Sequence, residues 1–264
     1  MIEKYRLYKH AWIYDLDPHK EQQLSLKESA ALFDQGGLII RNSFEFDCSE
    51  ITSFWYVIKD SFGGMDELSS KMRNQVKKCF KTMRVQKISP ECILKDGYEV
   101  YIEALDGYKV QAIPPTRSEF EIRLKNSEEN EYWACFDIET DKMVAFCMNA
   151  VTDESCEFRT MKAIPKYQKL YAYYGLIYEM NRYYLEERGL KYVNDGARSI
   201  TNHSNIQPFL IDKFNFRKAY CRLNVHYKWW FGFVIKILYP FRKLISNTTV
   251  KAVLNIEAMA RGDY

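Results

Sequence analysis

Residues 164–199 read IPKYQKLYAYYGLIYEMNRYYLEERGLKYVNDGARS, and their pattern organises the rest of the chain. A proline-led loop opens the stretch. Leu170, Tyr173, Ile177, Met180 and Tyr184 then recur at steps of three and four, which places them on one face of a helix. Glu179, Arg182 and Glu186 fall on another face. Gly189 stands where a left-handed cap would stop that helix, and Leu190, Tyr192 and Val193 open a strand. The strand runs into Asp195-Gly-Ala-Arg-Ser199, a polar turn. Loop, helix and strand in this order form the ligand-binding part of several α/β enzymes.

Upstream, residues 132–138 and 143–151 are strand-like runs separated by Glu-Thr-Asp-Lys, a hairpin turn. Thr152-Asp-Glu-Ser155 makes a second turn and residues 156–164 a third strand, so three antiparallel strands lead into the helix. Downstream, residues 204–214 read as a short helix and 217–227 as a closing strand. Further back, residues 5–14 read as a strand. Ser25-Leu-Lys-Glu28 has capping-box spacing ahead of a short helix. A strand is expected at 38–46, a helix at 50–58 and two weaker helices at 98–105 and 118–124. Three segments follow: an N-terminal extension at 1–65, a core at 66–227 and a C-terminal helical segment at 228–264.

Between residues 69 and 87 lie Lys71, Arg73, Lys77, Lys78, Lys81, Arg84 and Lys87, with no acidic residue. Met72, Val76 and Met83 give this stretch a helical apolar stripe. The cationic face is either a solvated helix surface or a patch that attracts phosphates. It lacks the interleaved aromatics that stack on single-stranded nucleic acid, so specific nucleic-acid binding is not expected. The whole chain carries a net charge of only +3 over 264 residues, with 47% hydrophobic residues, as expected of a soluble globular protein. Its seven cysteines show no CxxC spacing, which points to reduced thiols in a cytosolic setting. The first seventeen residues lack the apolar run of a signal peptide, and no long uncharged apolar run suggests a spanning helix.

The element order resembles the GNAT acyltransferase fold: a mixed, largely antiparallel α/β sheet flanked by helices. Three stretches look closest to its Fem-type branch of aminoacyl transferases and their single-domain relatives. Residues 68–81, LSSKMRNQVKKCFK, are similar to the branch's Ser-x-Lys-x-Arg-Asn basic helix. Residues 174–199 look like its second signature, and Ile211-Asp-Lys-Phe-Asn-Phe216 is similar to its Phe-Lys-x-x-Phe-Gly ending. The resemblance covers about residues 66–227. It implies an N-acyltransferase that moves an acyl or aminoacyl group from an activated donor, with acetyl-CoA or another acyl-CoA preferred, onto a small-molecule or lipid-linked amine. Aminoacyl-tRNA would be the donor only under Fem-like use.

In that family a pyrophosphate loop precedes the helix. Gln168, Tyr171, Tyr173 and Gly175 occupy its position here, and Tyr171 stands where the first glycine belongs. Ile211 stands near the family's general-acid tyrosine, and Asn215 in place of its glycine. Asp195, Ser199 and His203 are the candidate catalytic groups, and Arg198 and Asn205 the candidate substrate contacts. Asp195 suits accepting a proton or holding an ammonium, Arg198 pairing with an anion. The four histidines have no metal-ligand spacing, and no metal is expected. An alternative reading is a GNAT-shaped module without catalysis, serving assembly or a membrane. Residues 228–245 mix two Trp, three Phe and a Tyr with Lys228, Lys236, Arg242 and Lys243. They read either as contacting a membrane surface, at its cytoplasmic inner face, or as packing on the domain or across a homo-oligomer contact.

Overall fold

The computed structural model describes residues 4–8, 10–15, 17–106, 114–125, 130–200 and 205–263. It divides into two compact units, each discontinuous in sequence. One comprises Met1–Val57, Ala197–Asn205 and Lys218–Tyr264, the other Ile58–Gly196 and Ile206–Arg217.

In the first unit, β1 (Tyr5–Tyr8) and β2 (Ala11–Tyr14) form an antiparallel pair. The single strand expected at 5–14 is thus folded back on itself, with His10 at φ 68° in the tight turn. Helix α1 (Leu26–Asp34) carries the full capping box: Ser25 accepts from the Glu28 amide while Glu28 accepts from the Ser25 amide. Strand β3 (Ile39–Phe44) pairs parallel to β2. Where a helix was expected at 50–58, β4 (Phe54–Lys59) is extended. Its Phe-Trp-Tyr-Val-Ile run is aromatic and β-branched, which favours the pleated surface over a helix.

The first helix of the second unit is α2 (Ser70–Thr82), capped by the Ser69 hydroxyl, which continues into β5 (Met83–Ile88). Helix α3 (Pro90–Leu105) begins eight residues earlier than its apolar pattern suggested. Pro90 occupies its first turn, where no amide partner is needed. Helix α4 (Arg117–Lys125), β6 (Asn130–Asp137), β7 (Met143–Val151) and β8 (Ser155–Ala163) follow. A helical turn, α5 (Pro165–Gln168), leads to α6 (Ala172–Asn181), which ends in a π-helical turn at Arg182–Glu187. Strand β9 (Tyr192–Ala197) and helix α7 (Ile206–Phe214) complete this unit. Strand order is β9-β8-β7-β6-β5; every neighbouring pair is antiparallel except β8 with β9.

Both faces of this sheet are covered, which is why β6 reads Tyr-Trp-Ala-Cys-Phe without polar alternation. Tyr132, Ala134 and Phe136 pack with Ile93 and Val100 of α3 and Phe120 of α4. On the opposite face Cys135 donates to the Ala172 carbonyl of α6, and the Trp133 ring meets Tyr184. Helix α6 was expected to show one apolar stripe. It is instead buried nearly all round, from Ala172 through Gly175, Leu176, Ile177 and Tyr178 to Met180 and Asn181. The sheet covers one side of α6, and Cys79 of α2, with the rings of Phe62 and Phe80, covers another. Burying Leu176, Ile177 and Met180 contributes about 1.5–3 kcal/mol each.

Back in the first unit, β10 (Arg217–Tyr227) pairs antiparallel with β3. Helices α8 (Trp229–Leu238) and α9 (Thr248–Arg261) follow, separated by a 3-10 turn at Tyr239–Phe241. Ile256 and Met259 of α9 pack on Phe54, Cys221 and Leu223.

The α2–α6 contact depends on Gly175. A Cβ there would meet the Cys79 sulfur at 2.3 Å and Val85 at 3.2 Å. Gly175→Ala is expected to lower the unfolding free energy by about 1–3 kcal/mol through overpacking. Adding Cys79→Ala is expected to recover part of the loss, because the sulfur is the closest obstacle. Urea unfolding of the two single variants and the double variant measures both effects.

Candidate active site

The β8/β9 ladder has only three residue pairs, Ser155↔Tyr192, Cys156↔Val193 and Glu157↔Asn194. Strand β8 keeps its pairing with β7 as far as Ala163, so β9 leaves it early. Asp195 and Gly196 lie just past the last pair. Gly196 takes φ +75°, a left-handed conformation that glycine adopts without strain. Its amide donates to Asn194 Oδ1 at 2.9 Å, and Asn194 Nδ2 donates back to the Cys156 carbonyl at 3.3 Å. These bonds hold the bend that presents Asp195.

The Asp195 carboxyl is pushed up to about 7. Burial is the larger cause and the neighbouring Glu157 carboxylate the second; a hydrogen bond from Gln207 works in the opposite direction. Gln207, in the first turn of α7, also reaches the Asp195 carbonyl at 3.4 Å. The Asp195 side chain remains partly accessible. A carboxyl in this state exchanges a proton near neutral pH, which a general base requires. Glu157 itself pairs with Arg159 at 2.8 Å. Burial, then the Asp195 charge, raises the Cys147 thiol well above its usual range, so Cys147 is a packed thiol and not a nucleophile.

Behind this corner, a β-bulge between Met148 and Asn149 turns the fully buried Asn149 into a polar network. Asn149 accepts from Cys147 at 2.9 Å and donates to the Tyr184 hydroxyl at 3.2 Å. Tyr184 also accepts from Trp133 Nε1 and donates to Glu131, each at 3.0 Å. Glu131 is held in addition by Lys87 at 2.9 Å and Arg188 at 2.7 Å. The π-helical turn adds a residue to the helix register and so carries Tyr184 inward to this network. Here every carboxylate charge has its cation. Asp195 and Glu157 differ in being like charges set near each other.

The loop ahead of α6 does not form an open ring of amides. The Tyr167 and Gln168 amides donate to Ile164, those of Lys169 and Leu170 to Tyr167, and that of Tyr171 to Gln168. The Gln168 side chain is also turned inward, with Nε2 on the Ala163 carbonyl at 2.8 Å. Tyr171 caps α6 at φ 70°, an uncommon conformation for a bulky side chain. Its ring meets Tyr174, which meets Phe209 of α7, giving an aromatic wall with centroid spacings of 5.3 and 5.1 Å. Lys78 of α2 lies 5.9 Å over the Tyr171 ring. Lys71, Lys77, Lys78 and Lys81 are exposed on α2 and have no acidic partner among the described residues. The cationic face thus borders the loop at Lys78.

Of the residues singled out in the sequence, Asp195 is placed at the corner of the splayed strands. Gly175 lies inside α6 and faces Cys79 and Val85, so its missing Cβ serves helix packing rather than the loop. Tyr173 is half-buried on the first turn of α6. Arg198 and Ser199 belong to the other unit. There the Arg198 guanidinium donates to the Ser53 carbonyl at 2.6 Å and stacks on Trp55. Asn205 is exposed in that same unit, and His203 lies outside the described residues. Asn215 takes φ 55°, a left-handed conformation that asparagine tolerates. Sequence reasoning missed Glu157 and Gln207. The available signal was an acidic residue among the apolar ones entering β8, and a glutamine in the first turn of an apolar helix.

The raised Asp195 carboxyl sets a sign for stability. Its unfolded value is near 3.9, so between about pH 4 and pH 7 the folded state binds more protons, and unfolding free energy falls as pH rises. Asp195→Asn removes that slope. Melting curves across this range should therefore show the variant gaining stability relative to the parent as pH rises.

No family model matches the chain, and no curated protein matches it in sequence. Solved structures do. The C-terminal domain of a putative lysylphosphatidylglycerol synthetase from Agrobacterium fabrum superposes with a TM-score of 0.53 at 12% identity, over 84% of this chain and 79% of that one. L-PGS from Bacillus licheniformis gives 0.52 at 15% identity, over 97% and 85%. FemX gives 0.52 at 9% identity, over 81% of each chain. At these identities the likeness is one of fold: the chain shares with FemX, L-PGS and the synthetase domain a mixed, mostly antiparallel sheet flanked by helices.

Proposed function

We propose that the chain is an acyl- or aminoacyl-transferase that forms an amide on an amine-bearing acceptor, with Asp195 taking the amine's proton. The observation that carries this reading is the Asp195 carboxyl, pushed up to about 7 where β9 parts from β8. The negative charge of Glu157 beside it favours an ammonium at the corner. Proton transfer to Asp195 leaves a free amine, which attacks the donor carbonyl carbon. That attack forms the C–N bond, and collapse of the tetrahedral intermediate restores the carbonyl and breaks the bond to the leaving group. The leaving thiolate or alkoxide takes up the second proton, which the attacking nitrogen sheds as it becomes the amide.

Acyl-CoA is the donor class we favour, ahead of aminoacyl-tRNA, with a small or lipid-linked amine as acceptor. Because the loop amides are bonded internally, the donor phosphates would be held by Lys78 and its neighbours on α2, with the Tyr171–Tyr174–Phe209 wall against the chain of the donor. The same internal bonding favours a second reading, a non-catalytic module of this fold that acts in assembly.

Thermal melting with acetyl-CoA, CoA, longer acyl-CoAs and aminoacyl-tRNA separates these readings, since a ligand specific to the folded state raises the midpoint. A shift with one donor class is expected; no shift with any of them supports the non-catalytic module. With a donor in hand, Asp195→Asn is expected to lower kcat/KM by about a hundred- to ten-thousand-fold. The parent rate should climb through about pH 7 as Asp195 ionises, and the variant should lose that limb. An unchanged pH profile would remove Asp195 from the chemistry.

A further inference from the structure

We propose that α8 and the turn after it seat this chain on an anionic lipid surface. One side of α8 is committed to the fold. Ile235 and Tyr239 are buried against Leu254 and Ala258 of α9, with Phe231 and Leu238 packed beside them. The other side is apolar and bare: Trp229, Phe233 and Leu244 are 84%, 66% and 83% exposed, and Ile237 and Phe241 more than half. Trp229, Phe233 and Ile237 follow at steps of four, so they form one ridge along the helix. Isolated exposed apolar residues are ordinary, but a contiguous ridge of large ones implies something that covers it.

Charge identifies the cover. From residue 228 to 256 there are five cations, Lys228, Lys236, Arg242, Lys243 and Lys251, and no acidic residue. Lys236, Lys243 and Lys251 are exposed and have no acidic partner among the described residues. The next acids, Glu257 and Asp263, are engaged by Tyr227 and Arg261 and by Tyr239. A second copy of this chain, docked by the same face about a two-fold axis, would bring these cations against one another. A bilayer surface suits both features. Indole and phenyl rings lodge at headgroup depth, and lysines reach lipid phosphates while their methylene stems cover apolar surface. No helix among the described residues is long and apolar enough to cross a membrane. Helix α8, with ten residues, is therefore assigned to lie in the interface plane. This attachment does not depend on the transferase reading.

Flotation of the full chain with vesicles of neutral phosphatidylcholine, and with vesicles that include anionic phosphatidylglycerol, tests it. Binding is expected to be about tenfold or more stronger on the anionic vesicles and to weaken with salt. Trp229→Ser with Phe233→Ser, at exposed positions that leave the α9 contact intact, should abolish binding to both. Lys236→Glu with Lys243→Glu should remove only the preference for anionic lipid. Equal flotation of the parent and the aromatic variant, or none with either vesicle, overturns the proposal. So does a parent that dimerises through this ridge, lost in the aromatic variant by sedimentation, without binding vesicles. Melting midpoints of the variants within a few degrees of the parent's establish that the fold is kept.

Discussion

The parallel pairing of β8 with β9 over three residues is the constraint on which the rest of the second unit depends. Parallel neighbours cannot be joined by a tight turn, so the chain must cross over the sheet, and residues 164–191 do so. A crossover helix that lies on one face of a sheet can still leave its outer side wet. Here α2 covers that side as well, and α6 becomes a core element. Gly175 allows the close approach of the two helices. The same crossover ends in the π-helical turn that delivers Tyr184 to Asn149 and Glu131. Where the ladder stops, the backbone turns at Gly196 and leaves a carboxyl at a corner.

Two groups of buried polar residues lie on this sheet, and they differ in how their charge is treated. Around Glu131, two cations and a hydroxyl meet one carboxylate, and the neutral partners Asn149 and Trp133 complete the bonds. A network satisfied in this way rigidifies a core. At Asp195, desolvation and a second carboxylate both act against ionisation, with only Gln207 in its favour. That asymmetry marks Asp195 as the carboxyl whose burial and neighbouring charge oppose ionisation.

Much of the architecture was legible from local pattern. The turns at 139–142 and 152–155, the alternating and continuous apolar runs on either side of them, and the capping box at Ser25 act within a few residues of chain. Their outcome was therefore readable without knowing the fold. The errors also have local causes. The helix expected at 50–58 gives way to a strand because the aromatic and β-branched residues at 54–58 favour one. Helix α3 starts at Pro90, a first-turn signal, ahead of where the apolar spacing begins. Asp195 was legible as a strand-end carboxylate beside a glycine. Glu157 was not, because it precedes Asp195 by thirty-eight positions and only the parallel register brings the two together.

By itself the sequence determined the order and type of the elements from β6 through β10, the focusing of positive charge on α2, and the unusual composition after residue 228. These are properties of neighbouring residues, and short-range periodicity, turn chemistry and charge spacing carry them. Only the tertiary structure decided that the chain forms two units discontinuous in sequence, that Gly175 is a packing glycine, and that the loop amides before α6 bond among themselves. It also decided the ionisation of Asp195. Burial and the field of a distant carboxylate set a pKa, and both exist only once strands far apart in sequence lie side by side.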